Sequence, residues 1–109
     1  MAASSIPTPE LAFTIEKNKD ATTVRGAGKI TSATADYFQS TIRGVIPVSK
    51  HLVLDLAEVE YIDSSGLGAL VSVYLAAGKA HCELEMVNQK PRVRDLLKLT
   101  KLSTIFGGL

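Results

Sequence analysis

Residues 63–68, Asp63-Ser64-Ser65-Gly66-Leu67-Gly68, put two adjacent hydroxyls between an extended stretch, Val59-Glu60-Tyr61-Ile62, and the apolar run Ala69-Leu70-Val71. A strand turning into a helix leaves the helix's first N–H groups unpaired and facing outward, a setting that suits an anion. Two kinds of role fit these residues. In the structural one, Asp or Ser caps the helix, worth about 0.5–2 kcal/mol over alanine, and Gly66 and Gly68 let the first turn approach a neighbouring backbone. In the chemical one, a serine accepts a phosphoryl group. A phosphoserine brings about −1.5 to −2 charges and three acceptor oxygens, and a helix N-terminus favours it by roughly 0.3–2 kcal/mol. The modification then changes the surface without unfolding anything.

A nucleophilic role needs more than a hydroxyl. It needs a base within hydrogen-bond reach and an acid to orient that base. The chain has two histidines, His51 and His81, each at an expected strand edge, and the turn lacks the Gly-x-Ser-x-Gly pattern. Asp55, Glu58, Glu60 and Asp63 read as strand-end carboxylates exposed to solvent, with Asp63 also placed to cap. Neither histidine has a ligand at metal-binding spacing, and no Gly-x-x-x-x-Gly-Lys-[Ser/Thr] loop is present. We therefore expect no enzyme, no metal and no cofactor.

The elements that must position the turn are readable from periodicity. Leu11 to Glu16 alternates as a strand, Lys17 to Asp20 forms a polar turn, and Ala21 to Ile30 makes a second strand, together a hairpin. Thr31-Ser32-Ala33-Thr34 offers capping hydroxyls to a helix carrying Phe38, Ile42, Val45 and Ile46, stopped at Pro47. His51 to Leu56 is nearly all apolar, as in an interior strand covered on both faces. Glu83 to Val87, charged on one face, is expected nearer an edge. Pro91 opens a last helix with Val93, Leu96, Leu97 and Thr100 inward and Lys90, Arg92, Arg94, Lys98 and Lys101 outward. That basic stripe reads as a solvated face or, as the lesser reading, a surface for an acidic partner. A short closing element is expected around Ile105-Phe106.

This order predicts a single α/β domain with a mixed, mostly parallel sheet of about four to five strands and helices packed on it. Residues 1–10, rich in Ala, Ser and Pro, read as a flexible leader and 11–109 as the folded domain. With 109 residues, 46% of them hydrophobic, the chain can bury a core unaided. A formal charge of +1 gives no electrostatic drive toward nucleic acid. No apolar run is long enough to cross a bilayer and the start has no signal-peptide pattern, so a cytoplasmic protein without membrane insertion is expected. The lone Cys82 reads as a small buried side chain.

The helix after the serines, expected from about Ser65 to Ala77, carries no charge between Asp63 and Lys79. One face, Leu67, Leu70, Val71, Tyr74, Leu75 and Gly78, reads as its core stripe. The other carries Ser65, Ala69, Ser72, Val73 and Ala76. Either a flanking helix covers that second face, or Ala69, Ser72, Val73 and Ala76 form a docking surface with the serine turn at its rim. A dianion added to such a contact costs on the order of 3–4 kcal/mol, which is about a hundred- to thousand-fold in affinity.

Leu52-Val53-Leu54-Asp55-Leu56 followed by Tyr61-Ile62-Asp63-Ser64-Ser65-Gly66-Leu67-Gly68 closely resembles the STAS family, and within it the bacterial anti-sigma factor antagonists. The likeness runs from about Leu11 to Phe106, with a looser match at Gly26-x-Gly28-x-Ile30. It implies a regulatory protein without catalysis. Unphosphorylated, such a protein binds an anti-sigma factor that is also a serine kinase. The kinase inactivates it by phosphorylation with ATP, and a metal-dependent serine phosphatase restores it. The family's acceptor is the second serine, which falls on Ser65, with Ser64 the second choice. Asp63, Ser64, Gly66 and Gly68 then shape the acceptor turn. Where the family often has Asp after the second strand, this chain has Thr31. A scaffolding STAS domain of a stress-signalling complex and an accessory STAS subunit of a membrane transport system are the alternative roles that the resemblance allows.

Overall fold

Two strands, β1 (Leu11–Lys17) and β2 (Thr22–Ile30), form the expected hairpin, pairing antiparallel from Leu11 opposite Gly28 to Lys17 opposite Thr22. The computed structural model describes residues 10–99. From β2 the chain runs through α1 (Ala35–Val45), a 3-10 turn at Ile46–Val48, β3 (His51–Ile62), α2 (Ser64–Lys79), β4 (Glu83–Val87) and α3 (Pro91–Leu99). β3 pairs parallel with both β2 and β4, giving the order β1-β2-β3-β4. The sheet is thus mixed and mostly parallel, with four strands among the described residues. The leader before Glu10, Thr100, and the closing element expected near Ile105-Phe106 lie outside the described residues. Glu10, which the sequence places in the leader, already accepts a hydrogen bond from the Lys29 N–H at 2.8 Å.

One buried cluster holds the layers together. Val24 of β2 and Leu52, Leu54 and Leu56 of β3 meet Phe38 and Ile42 of α1, Leu70 and Val73 of α2, and Val93 and Leu97 of α3. The alternate β3 residues His51, Val53 and Asp55 are only half-buried, and Thr14, Glu16, Arg25, Glu83 and Glu85 on the neighbouring strands are exposed. β3 is interior in strand order but covered on one face, so the expectation of two covered faces does not hold. On the open face Arg25 bridges Glu16 at 2.8 Å and Asp55 at 3.4 Å, and His51 meets Glu85 at 3.0 Å.

β3 is twice as long as its apolar run, and its second half is bulged. Its register against β2 slips between Arg25 and Ala27 and again between Gly28 and Lys29. After Leu56 the buried residues are Val59 and Ile62, a spacing of three that no alternation reveals. Asp55 steadies the first irregularity, its Oδ1 accepting from the Ala57 N–H at 3.0 Å. The second half of the strand carries the chain to the serine turn.

Thr34 stands at the N-cap of α1 but does not cap it with its side chain. Its hydroxyl is fully buried, accepting from the Thr31 N–H at 2.9 Å and donating to the Lys29 carbonyl at 2.8 Å. The residue ties the β2–α1 loop back onto its own strand.

Candidate functional site

The serine turn is fixed by Asp63. Its backbone is extended, its Oδ1 accepts from the Gly66 N–H at 2.9 Å, and its carbonyl accepts from the Leu67 N–H at 2.9 Å. This is a side-chain N-cap closing the first turn of α2. The second carboxylate oxygen reaches across the fold and accepts from the Ser32 N–H at 3.2 Å. The Asp63 N–H donates to the Ile30 carbonyl, also at 3.2 Å. One residue therefore caps α2 and fastens it to the β2–α1 loop.

Gly66 makes that junction possible. A Cβ there would lie 2.1 Å from the Ile30 carbonyl oxygen and 2.9 Å from Ile62 Cγ2. Gly68 differs: it is exposed, and a Cβ there would meet nothing within 4 Å. Close backbone approach, expected of both glycines, applies to Gly66 alone. Ser64 and Ser65 are exposed, and neither hydroxyl has a hydrogen-bond partner among the described residues.

The expected docking face of α2 is placed differently. Ala69 is 1% exposed and Val73 0%, both within the core cluster. Ser72 and Ala76 are half-buried, and the Ser72 hydroxyl accepts from Arg43 at 2.7 Å and donates to Gln39 at 3.0 Å, both on α1. The flanking-helix reading is the one the structure bears out: α1 covers this face. Leu75, expected in the core, is 57% exposed, and Gly78 is exposed too. The physical reason is that α2 has almost no polar side from which to fix its phase. Small residues at Ala69 and Ala77 let α1 and β-sheet come close, and the bulkier Leu75 is turned out. What remains outward is a stripe of Ser64, Gly68, Leu75 and Gly78 with half-buried Val71, uncharged until Lys79.

A hollow of about 760 Å³ that the sequence did not reveal lies between the start of α2 and α3. Ile62, Leu67, Val93 and Leu96 give it an apolar lining, and Ser64 and Arg92 stand on its walls. Ser65 does not line it. The two serines, equivalent in sequence, thus have different surroundings. The space arises where the end of β3, the start of α2 and α3 converge, and no local pattern encodes it.

The titratable groups that could drive chemistry lie elsewhere. His51 opens β3, whereas the serine turn follows its other end, and His81 sits in the turn after α2 with φ of 58°. No group of three His, Cys, Asp or Glu side chains suited to a metal occurs among the described residues. Cys82 is buried as expected; burial, and secondarily the charge of Glu83, pushes its thiol above the ordinary range. No helix among the described residues is long and apolar enough to cross a membrane.

Comparison with known proteins agrees with this architecture. A family model described as the STAS domain matches residues 12–108. An anti-sigma-B factor antagonist of Listeria monocytogenes is 33% identical over 92 residues, spanning 83% of this chain and 80% of that protein. The crystal structure of an anti-sigma factor antagonist from Mycobacterium paratuberculosis superposes with a TM-score of 0.80 at 28% identity, covering 93% of this chain and 87% of that one. The Bacillus cell fate determinant SpoIIAA in its phosphorylated form shares the fold, with a TM-score of 0.67 at 17% identity over 85% of this chain and 86% of that one.

Proposed function

The chain belongs to the STAS domain family, and we propose that it is an anti-sigma factor antagonist switched off by phosphorylation of Ser65. Unphosphorylated, it binds an anti-sigma factor that is also a serine kinase, in the cytoplasm. The kinase transfers the γ-phosphoryl group of ATP to Ser65, and a serine phosphatase removes it. The protein is the substrate in both steps and catalyses neither.

The observation that carries this reading is the mounting of Ser65. Its hydroxyl is exposed on the first turn of α2, while Asp63 and Gly66 hold that turn against the end of β2. An acceptor presented this way is open to a kinase and stays in place when it is modified. The new dianion meets the positive end of α2, so the fold tolerates it. Against a partner packed over the uncharged stripe of Ser64, Gly68, Val71 and Leu75, the same dianion is costly. By the estimate of about 3–4 kcal/mol, binding weakens roughly a hundred- to thousand-fold. Ala69, Ser72, Val73 and Ala76 lie on the face that α1 covers and so stand outside this docking surface. The choice of Ser65 over Ser64 rests on the family's use of the second serine.

Incubation with the cognate kinase and ATP tests the assignment. One phosphate should be added, lost in Ser65→Ala and retained in Ser64→Ala. Phosphate mapped to Ser64 alone overturns the residue, and no transfer from any serine kinase of the anti-sigma type overturns the function.

A further inference from the structure

α3 carries charge that the fold does not use. Arg92, Arg94 and Lys98, with Lys90 just before the helix, are set against Asp95 alone, and all five are exposed. None of the four cations is in an ion pair among the described residues, whose ion pairs involve only Arg25 and His51 as the basic partners. The whole chain has a formal charge of only +1, so this concentration is local. Lys90, Arg94 and Lys98 recur at every fourth residue and line up along the helix at about 6 Å intervals. Like charges at that spacing weaken a helix. On the other flank Arg92 stands on the wall of the hollow lined by Ile62, Leu67, Val93 and Leu96.

We propose that α3 and this hollow form a second docking surface, for an acidic amphipathic helix of a partner protein. Apolar side chains of the partner enter the hollow over Leu67 and Leu96. Its carboxylates, also at fourth-residue spacing, face Arg92 and the row of Lys90, Arg94 and Lys98. The volume, about 760 Å³, is that of clefts able to take several side chains. Charge complementarity selects the occupant. A polyphosphate backbone or an anionic lipid surface also attracts cations, but Asp63 and Asp95 line the same hollow and repel both. A peptide can set a basic residue opposite Asp95 and still fill the apolar floor. The hollow shares Ser64 with the surface proposed for the kinase, but Ser65 does not line it, so loss of the Ser65 hydroxyl tests the two readings separately.

The test is a titration of the isotopically labelled full chain with a synthetic helical peptide of about 18 residues, one face leucine, the flanks glutamate, and one lysine placed to meet Asp95. Controls are a scrambled peptide of the same composition, polyglutamate, phosphatidylglycerol vesicles and duplex DNA. Amide shifts should cluster on α3 and on Tyr61 to Leu67. Affinity should fall about tenfold or more in Arg92→Glu/Arg94→Glu, and by a similar factor between about 50 and 300 mM salt. The scrambled peptide and polyglutamate should bind at least about tenfold more weakly. Ser65→Ala should leave these values unchanged. The proposal is overturned by shifts centred elsewhere, by equal binding of the scrambled peptide, or by tighter binding of vesicles or DNA. It is also overturned if the same shifts arise on concentrating the protein alone, which would make a second copy the occupant.

Discussion

Replacing Gly66 with alanine tests how the serine turn is held. The new Cβ would lie 2.1 Å from the Ile30 carbonyl oxygen, 2.8 Å from its carbonyl carbon and 2.9 Å from Ile62 Cγ2. Two of these atoms are backbone and cannot swing aside. The first turn of α2 must retreat from β2 by about 1 Å to restore ordinary contact. That retreat breaks the Asp63 N–H to Ile30 hydrogen bond, already 3.2 Å long, and strains the 3.2 Å bond from Ser32 to Asp63. Overpacking contributes about 1–3 kcal/mol and each hydrogen bond about 1 kcal/mol, against about 1 kcal/mol gained in helix propensity. The net expectation is a loss of ~2–3 kcal/mol, or about 10–20 °C in Tm for a domain of this size. Gly68→Ala is the matched control. With nothing within 4 Å of its Cβ, it should stabilise the protein by about 0.5–1 kcal/mol. Urea unfolding followed by circular dichroism measures both. A Gly66→Ala protein as stable as wild type, or as stable as Gly68→Ala, refutes the packing argument.

Asp63→Ala should cost about 1–2 kcal/mol in urea unfolding, because both carboxylate oxygens accept backbone hydrogen bonds. Asp63→Asn, which keeps a side-chain acceptor, should recover at least half of that, and faster hydrogen exchange at the Ser32 and Gly66 amides should accompany the alanine variant alone. Burial, then the charge of Glu83, raises the Cys82 thiol, so iodoacetamide at about pH 8 should alkylate the folded protein at least tenfold more slowly than the urea-unfolded chain. The same shift sets the direction of a pH effect. The buried neutral thiol leaves stability intact below the ordinary thiol range. As pH rises through that range the unfolded chain ionises first and stability falls, a loss that Cys82→Ala should remove.

Much of the framework was legible because local chemistry decided it. Asn18 and Asp20 marked the hairpin turn, Pro91 the start of α3, and an Asp or Ser cap the start of α2, which the structure assigns to Asp63 with the helix beginning at Ser64. Three features were not legible, each because it depends on a partner element. Bulges in β3 break its alternation after Leu56, so the strand reads as half its length. The rotation of α2 is set by α1: of the expected core stripe Leu70 is fully buried and Leu67 and Tyr74 pack against the core, but Leu75 and Gly78 are turned to solvent while Ala69 and Val73 take their place inside. Gly66 and Gly68 are the same residue two positions apart, and only the proximity of Ile30 separates them. Thr34 shows the same dependence, its hydroxyl turned back to Lys29 instead of onto the helix it precedes.

The proposed Ser65 switch is most directly tested by measuring the affinity of an anti-sigma factor kinase for this protein in its unphosphorylated, Ser65-phosphorylated and Ser65→Asp forms, with circular dichroism as the check on folding. Binding should be tight without phosphate and about a hundred- to thousand-fold weaker with it, weakened in Ser65→Asp as well, all three spectra being superimposable. Equal affinity of the unphosphorylated and phosphorylated forms would contradict the account.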